Sequence, residues 1–443
     1  MQAEEIFGKG SVWKAIARTS IPAVFTMLVM IVYNMADMYF VGKTGDPTQI
    51  AAISLASPVY MLMMAIGTLV GGGGCAAVSN ALGNGNMKLV KALGSACLVI
   101  QTAASVMIGG AVLLFPDAVL RFVGADTDTW QYTGEYIRVL AAGMIFITFA
   151  NVFANVIRAE GAAKESLLGN AIGTITNMVL DPIFILWMNL GVMGAAIATV
   201  IGNAASCLFL AYYICQRSSG LTLSPVFAFQ MPKSFYRVIV LGIPNAASNL
   251  LSGLSNTISN HILIQYGAGT IAAIGVGGKA GMIVSMIVMG ICMGVQPVIA
   301  YNYGAGDRKR TKEVTVGTAI VSVVTGALLT IGCYCLRPAI AGIFLKENSL
   351  LEQSVHIMTI QLSMMALIGL YYTGINFLQA AGKAASAAFL SLFRQGLLFV
   401  PMILILHSLF GLEGVYWTSV LCDLAAVVLA VTLTVKAINR KRQ

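Results

Sequence analysis

The chain has 443 residues, of which 58% are apolar and 10% charged, against about 25% charged in an ordinary globular domain. Together with a mean hydropathy of +0.86, this excludes a string of soluble domains and a peripherally attached one, since either would restore the missing charges. The formal charge of +9 does not call for nucleic acid, because the placement of the basic residues accounts for it.

A membrane-spanning helix needs about 20 mostly apolar residues. Reading apolar stretches between polar punctuation predicts twelve of them, in chain order 16–41, 50–80, 89–114, 132–157, 166–188, 193–215, 236–265, 271–302, 314–335, 353–377, 385–407 and 414–437. Strands of about ten residues with alternating polarity are missing, so a barrel does not compete. The predicted fold class is all-α integral membrane. The start, Met1 to Lys14, is amphipathic and charged and reads as a tail, not a cleavable signal peptide.

If both termini lie on one side, the connections near 83–91, 158–165, 216–237, 304–313 and 378–384 lie there too. That side then holds 19 Lys and Arg, against Lys43, Arg121, Arg337 and Lys346 opposite. By the positive-inside rule it is the cytoplasmic side, which predicts a multi-pass protein of the cell (inner) membrane with both termini cytoplasmic and no nucleic-acid partner. Eight cysteines, none in a CxxC or Cys/His spacing, read as packing residues rather than a disulfide framework or a metal site.

Sliding the chain on itself by about 221 residues aligns its halves. Ile21-Pro22 meets Ile243-Pro244, and Gly83-Asn84-Gly85-Asn86 meets Gly304-Ala305-Gly306-Asp307. Asn155 meets Asn376, Gly161 meets Gly382, Pro182 meets Pro401, and Gly191 to Gly194 meets Gly411 to Gly414. Each half holds an even number of spans, so both copies enter the membrane in the same sense and form six-helix bundles related by a pseudo-twofold axis along the membrane normal. The expected organisation is an N-terminal lobe over 1–215, a cytoplasmic linker over 216–234 and a C-terminal lobe over 235–443. Two similar bundles that rock about a central cleft expose one site to either side in turn, which is transport by alternating access, not enzymatic catalysis. The run Gly71 to Gly74 serves close helix packing, and no GxxxxGK[ST] motif is present for direct use of ATP.

Ionisable groups at membrane depth are the default functional candidates. The N-terminal half has Asp37, with Tyr33 and Asn34 on the same helical face, and a stripe of Asn170, Thr174, Asn177 and Asp181 at helical spacing. Asp181 and Thr199 are equidistant from the hairpin tip near Leu190, so Asp37, Asn177, Asp181 and Thr199 are expected to converge as an ion-coupling site for H⁺ or, with Asp37, Asn177 and Asp181 as ligands, for Na⁺. The C-terminal half carries Lys279, Arg394 and Asp423 at depth, with an ion pair to Asp423 expected, and His261 as a packing residue. Asn155, Asn170, Met282 and Met286 join Tyr33, Asn34, Lys279, Arg394 and Asp423 as candidates for the cavity wall, the methionines because their side chains adapt to varied apolar ligands.

Several segments carry a family resemblance: Tyr33 to Gly42 (YNMADMYFVG), Ala81 to Asn86 (ALGNGN), Asn177 to Pro182 (NMVLDP), Pro297 to Gly304 (PVIAYNYG) and Gln379 to Gly382 (QAAG). In this order on two repeats, they resemble the multidrug and toxic compound extrusion (MATE) family over almost the whole chain, nearest its DinF-like branch with the MepA-type exporters, within the MOP flippase superfamily. The resemblance implies the MATE fold and export of small cationic amphipathic compounds, antibiotics among them, in exchange for H⁺ or Na⁺. Asp37, Asn177, Asp181 and Thr199 match the N-lobe coupling site. No cofactor is implied; membrane lipid is the surroundings, and a monomer is expected. The seventh and tenth spans lack the acidic residues of the NorM-like branch. An alternative function is a lipid-linked oligosaccharide flippase of the same superfamily, which would need a more cationic cavity than Lys279 and Arg394 provide.

Overall fold

The computed structural model describes residues 4–42, 47–344 and 348–439, except for the side chains of 33–39, 41–42, 47, 50, 260, 264, 268–269, 271–272 and 343–344. Among the described residues all regular structure is helical. In the first half run α1 (Val12–Gly42), α2 (Pro47–Gly83), α3 (Met87–Leu114), α4 (Trp130–Ala142), α5 (Met144–Val156), α6 (Ala163–Asp181) and α7 (Gly191–Gln216). The second half holds α8 (Lys233–Leu263), α9 (Ala268–Gly304), α10 (Arg308–Cys335), α11 (Asn348–Leu362), α12 (Ile368–Ala380), α13 (Ala384–Leu392) and α14 (Phe399–Asn439).

Nine stretches of the described residues are long and apolar enough to cross a membrane, and α4 with α5, bent by 55°, makes a tenth. One of the nine, Ala384–Asn439, is 56 residues long, more than twice the length that about 30 Å of hydrocarbon requires. It is broken at Gly411, where φ 57° and ψ −131° leave the helical region, and so supplies two of the predicted spans. Helices α11 and α12, interrupted between Leu362 and Ile368, cover the predicted span 353–377. The protein is a multi-pass membrane protein.

The repeat seen in the sequence is a repeat of turn chemistry. Asn86 caps α3 by accepting from the Leu89 N–H at 3.0 Å, and Asp307 caps α10 by accepting from the Arg310 N–H at 2.9 Å. In each copy a left-handed glycine precedes the cap, Gly85 at φ 69° and Gly306 at φ 77°, where a Cβ would be strained. Gly161 and Gly382, then Gly191 and Gly411, are further aligned pairs that share a positive φ.

The chain forms two compact units. Among the described residues, one takes Phe25–Gly242 with Glu4–Lys9; the other takes Gly10–Val24 and those from Ile243 to Asn439. The membership of α1 and α8 therefore changes within each helix, two residues beyond Pro22 in α1 and two residues before Pro244 in α8. Glycine explains the packing. In the first unit, α8 lies so close to α2 that a Cβ on Gly242 would collide with the Leu69 carbonyl, and one on Gly73 with the Val238 carbonyl. In the second, a Cβ on Gly294 of α9 would stand 2.6 Å from the Thr19 carbonyl oxygen and 2.9 Å from the Ser20 Cα of α1. Gly73 and Gly294 are equivalent in the repeat, so each unit docks an incoming first helix with the same small-residue device.

In the first unit α2 packs on α3 and α5, and α6 on α7; in the second, α9 packs on α10, α11 and α12. The segment after α7 is tied to the first unit by a buried carboxylate: Glu160 accepts from Ser218 Oγ at 2.7 Å, the Gly220 N–H at 2.9 Å and the Leu221 N–H at 3.2 Å.

Gly242→Ala is expected to destabilise the protein by about 1–3 kcal/mol, because the collision is with backbone, which has no rotamer to change. Gly110→Ala, where an added Cβ meets nothing within 4 Å, should leave the melting temperature of the detergent-solubilised protein close to wild type. Equal melting temperatures for the two variants would count against the close-approach account.

Candidate functional site

The first unit concentrates buried polarity on α6 and α7. Gly173 on α6 and Gly202 on α7 allow a close crossing: a Cβ on Gly202 would stand 2.6 Å from the Gly173 carbonyl oxygen and 3.0 Å from Asn177 Cβ. This approach brings Asn177 and Asp181, one helical turn apart, against Thr199. Asp181 is fully buried, and Asn177 and Thr199 nearly so. Asp181 ends α6, and Pro182 opens a π-type turn, Pro182–Trp187. Proline has no N–H, so the regular bond to the preceding turn is absent there.

The Asn177 amide links the two helices. Its Nδ2 donates to Asp181 Oδ2 at 3.1 Å and its amide oxygen accepts from the Thr199 N–H at 3.0 Å. This suits an ionised carboxylate, which only accepts.

Next to this triad lies a cavity of about 100 Å³ walled by α1, α2, α5, α6 and α7. Asn177 and Thr199 belong to its wall, with Asn170, Thr174, Asn203 and Ser206, and Met30, Tyr60 and Met64 supply apolar surface. Asn170 donates to the Ser166 carbonyl at 3.0 Å and Asn203 to the Thr199 carbonyl at 2.8 Å. Among the described residues Ser206 Oγ and Asn151 Oδ1 are buried without a hydrogen-bond partner. Both belong to wall residues, and both atoms are themselves buried.

The remaining sequence candidates are placed as follows. Asp37, Tyr33 and Asn34 lie outside the residues whose side chains are described. Asn155 is engaged next to the cavity, donating to the Asn151 carbonyl at 2.7 Å and accepting from Arg158. In the second unit Lys279 and Met282 are exposed on α9, Met286 is half-buried, and His261 is exposed on α8. Arg394 Nε donates to Asp423 Oδ1 at 2.6 Å, a paired charge in the interior of that unit. The reading of the sequence did not single out Asn151, Asn203 or Ser206. The signal for the last two was present, since Thr199, Asn203 and Ser206 repeat on α7 the spacing of the α6 stripe.

Comparison with known proteins gives concordant results. The model of the MatE family matches residues 22–183 and again 244–405. A multidrug export protein MepA of Staphylococcus aureus (strain NCTC 8325 / PS 47) is 30% identical over 437 residues, covering 96% of this chain and 95% of the relative. The MepA of Staphylococcus saprophyticus is 27% identical over 431 residues with the same coverage. Among solved structures, an outward-facing multidrug resistance transporter of the MATE family and MOP superfamily superposes with a TM-score of 0.93 at 23% identity, over 99% of this chain and 98% of the other. A MOP-superfamily transporter from Pyrococcus furiosus superposes with a TM-score of 0.91 at 23% identity, over 99% of each chain.

Gly202→Ala tests the site's construction. The added methyl is expected to push α7 from α6, with a loss of about 1–3 kcal/mol in stability and loss of protection from hydrogen exchange along α6 and α7. Protection unchanged from wild type would mean that the crossing does not set the Asn177–Thr199 contact.

Proposed function

Because the chain belongs to the MatE family, whose model matches each of its halves, we propose that it is a multidrug efflux antiporter: it exports cationic amphipathic compounds across the cell membrane in exchange for H⁺ or Na⁺ by alternating access. The observation that carries this reading is the fully buried Asp181, held through Asn177 and Thr199 to the wall of a cavity lined by further polar residues. A carboxylate so placed costs several kcal/mol unless a cation or a proton accompanies it. It is therefore the natural place to exchange one.

The proposed coupling runs through the Asn177 amide. With Asp181 ionised, Nδ2 donates to the carboxylate and the amide oxygen takes the Thr199 N–H. A proton on Asp181 removes the negative charge that Nδ2 faces and weakens this charge-assisted bond. Asn177 and Thr199 also belong to the cavity wall, so the change of protonation alters the polarity they offer to a bound cation. Na⁺ would act at the same carboxylate by drawing the amide oxygen toward itself. Asp37, at similar depth by sequence, supplies the second carboxylate.

Orientation follows the basic residues, with both termini and the Glu160-bound segment cytoplasmic. The family's chemistry is transport and asks for no enzymatic step or resident cofactor, and the substrate partners are small organic cations. A flippase for lipid-linked oligosaccharides is less well supported, because Arg394, one of the two basic residues available to a pyrophosphate, is paired with Asp423.

Asp181→Asn keeps the size of the side chain and removes its titration. In proteoliposomes loaded with a fluorescent organic cation, efflux driven by a pH gradient or by a Na⁺ gradient, each imposed alone, is expected to fall at least tenfold while insertion is retained. The gradient that drives the wild type identifies the coupling ion. Efflux at the wild-type rate in the variant would remove Asp181 from the mechanism.

A further inference from the structure

The two units spend equivalent positions differently. The repeat shift is 221 residues at Gly161–Gly382, 219 at Pro182–Pro401 and 220 at Gly191–Gly411, which leads from Ala150 to Tyr371, from Asn203 to Asp423 and from Gly173 to the segment Leu392–Arg394. In the first unit Ala150, Gly173 and Asn203 are wall residues of the cavity, small or neutral, with open volume between them. In the second, Tyr371, Arg394 and Asp423 form a contact cluster. The Arg394 guanidinium lies 4.7 Å from the centre of the Tyr371 ring and donates to Asp423 at 2.6 Å. The side chains of Arg394 and Asp423 are 15% and 5% exposed, and Tyr371 is fully buried.

A carboxylate beside the face of a tyrosine is the chemistry of an organic-cation site, with one charge to pair and one π-surface to stack. The planar guanidinium satisfies both at once, which a lysine ammonium would not. Arg394 is also carried on a π-type turn, Phe393–Leu397, between α13 and α14. Such a turn inserts an extra residue into the helix and redirects the side chains around it.

We propose that the second unit contains a binding site for one planar organic cation, a guanidinium or amidinium, built from the Asp423 carboxylate and the face of Tyr371, and that the chain keeps this site filled with its own Arg394. The tethered guanidinium has no translational freedom to lose, so a free cation of the same chemistry competes with it poorly. The second unit is thereby closed to small cations in the wild type, and removing the arginine opens it. This inference rests on the geometry of the second unit alone and does not require Asp181 to couple ions.

The test uses the full-length protein in detergent, with benzamidine and methylguanidinium as probes and binding as the readout. Arg394→Ala is expected to bind benzamidine at least tenfold more tightly than wild type in equilibrium titration, and its melting temperature should rise with millimolar probe. Arg394→Lys, which keeps Asp423 paired but leaves the ring face uncovered, should bind less tightly than Arg394→Ala, and Arg394→Ala/Asp423→Asn should lose the gain. Because removing the arginine leaves Asp423 unpaired, Arg394→Gln and purification of Arg394→Ala with the probe present serve as further arms; recovery of folded protein by the probe supports the site. The proposal is overturned if neither Arg394→Ala nor Arg394→Gln binds better than wild type, or if the gain persists without Asp423. Because no efflux is measured, a failure of ion-driven transport bears on Asp181 and leaves this result intact.

Discussion

A charged side chain in the interior of a membrane helix bundle has to be answered by another group, and that requirement organises the polar interior of both units. Water is not available at low cost, and a lone ion at the centre of a spanning helix is unfavourable by about 2.5–3.5 kcal/mol even on the mildest scales. In the first unit Asn177 donates to Asp181, the Thr199 N–H donates to Asn177, and a cavity lies beside them. The second answers Asp423 with a permanent cation, Arg394. On the proposed reading, the first interior responds to an ion that comes and goes, and the second is closed by a covalently attached cation.

Much of this was legible in the sequence because membrane helices declare themselves through length and apolarity. The repeat was legible because its turns depend on residues with few substitutes: Gly85 and Gly306 at positive φ, Asn86 and Asp307 as caps. The α6 stripe was readable because Asn170, Thr174, Asn177 and Asp181 share a face that cannot meet lipid. What stayed hidden was set by contacts between distant segments. Nothing local in Gly242 or Gly294 announces which carbonyl each must clear, and the membership of α1 and α8 in the compact units follows from those contacts. The burial of Glu160 depends on the Ser218–Leu221 segment arriving against it. The partner of Asp423 was chosen by a π-type turn at Phe393–Leu397 that spacing rules for regular helices do not foresee.

The glycines show how the interior's electrostatics depend on packing. Where Gly173 faces Gly202, α6 and α7 come close enough for Asn177 to reach across to Thr199. A bulkier pair would hold the helices apart and part Asn177 from Thr199. Small residues here therefore supply more than van der Waals contact; they set the distance between the Asn177 amide and Thr199. The second unit carries Arg394 on a π-type turn near the counterpart of Gly173, and Asp423, which stands where the first unit has the neutral Asn203, answers its charge. A large cation held by a carboxylate thus occupies the part of the repeat where the first unit has small and neutral residues.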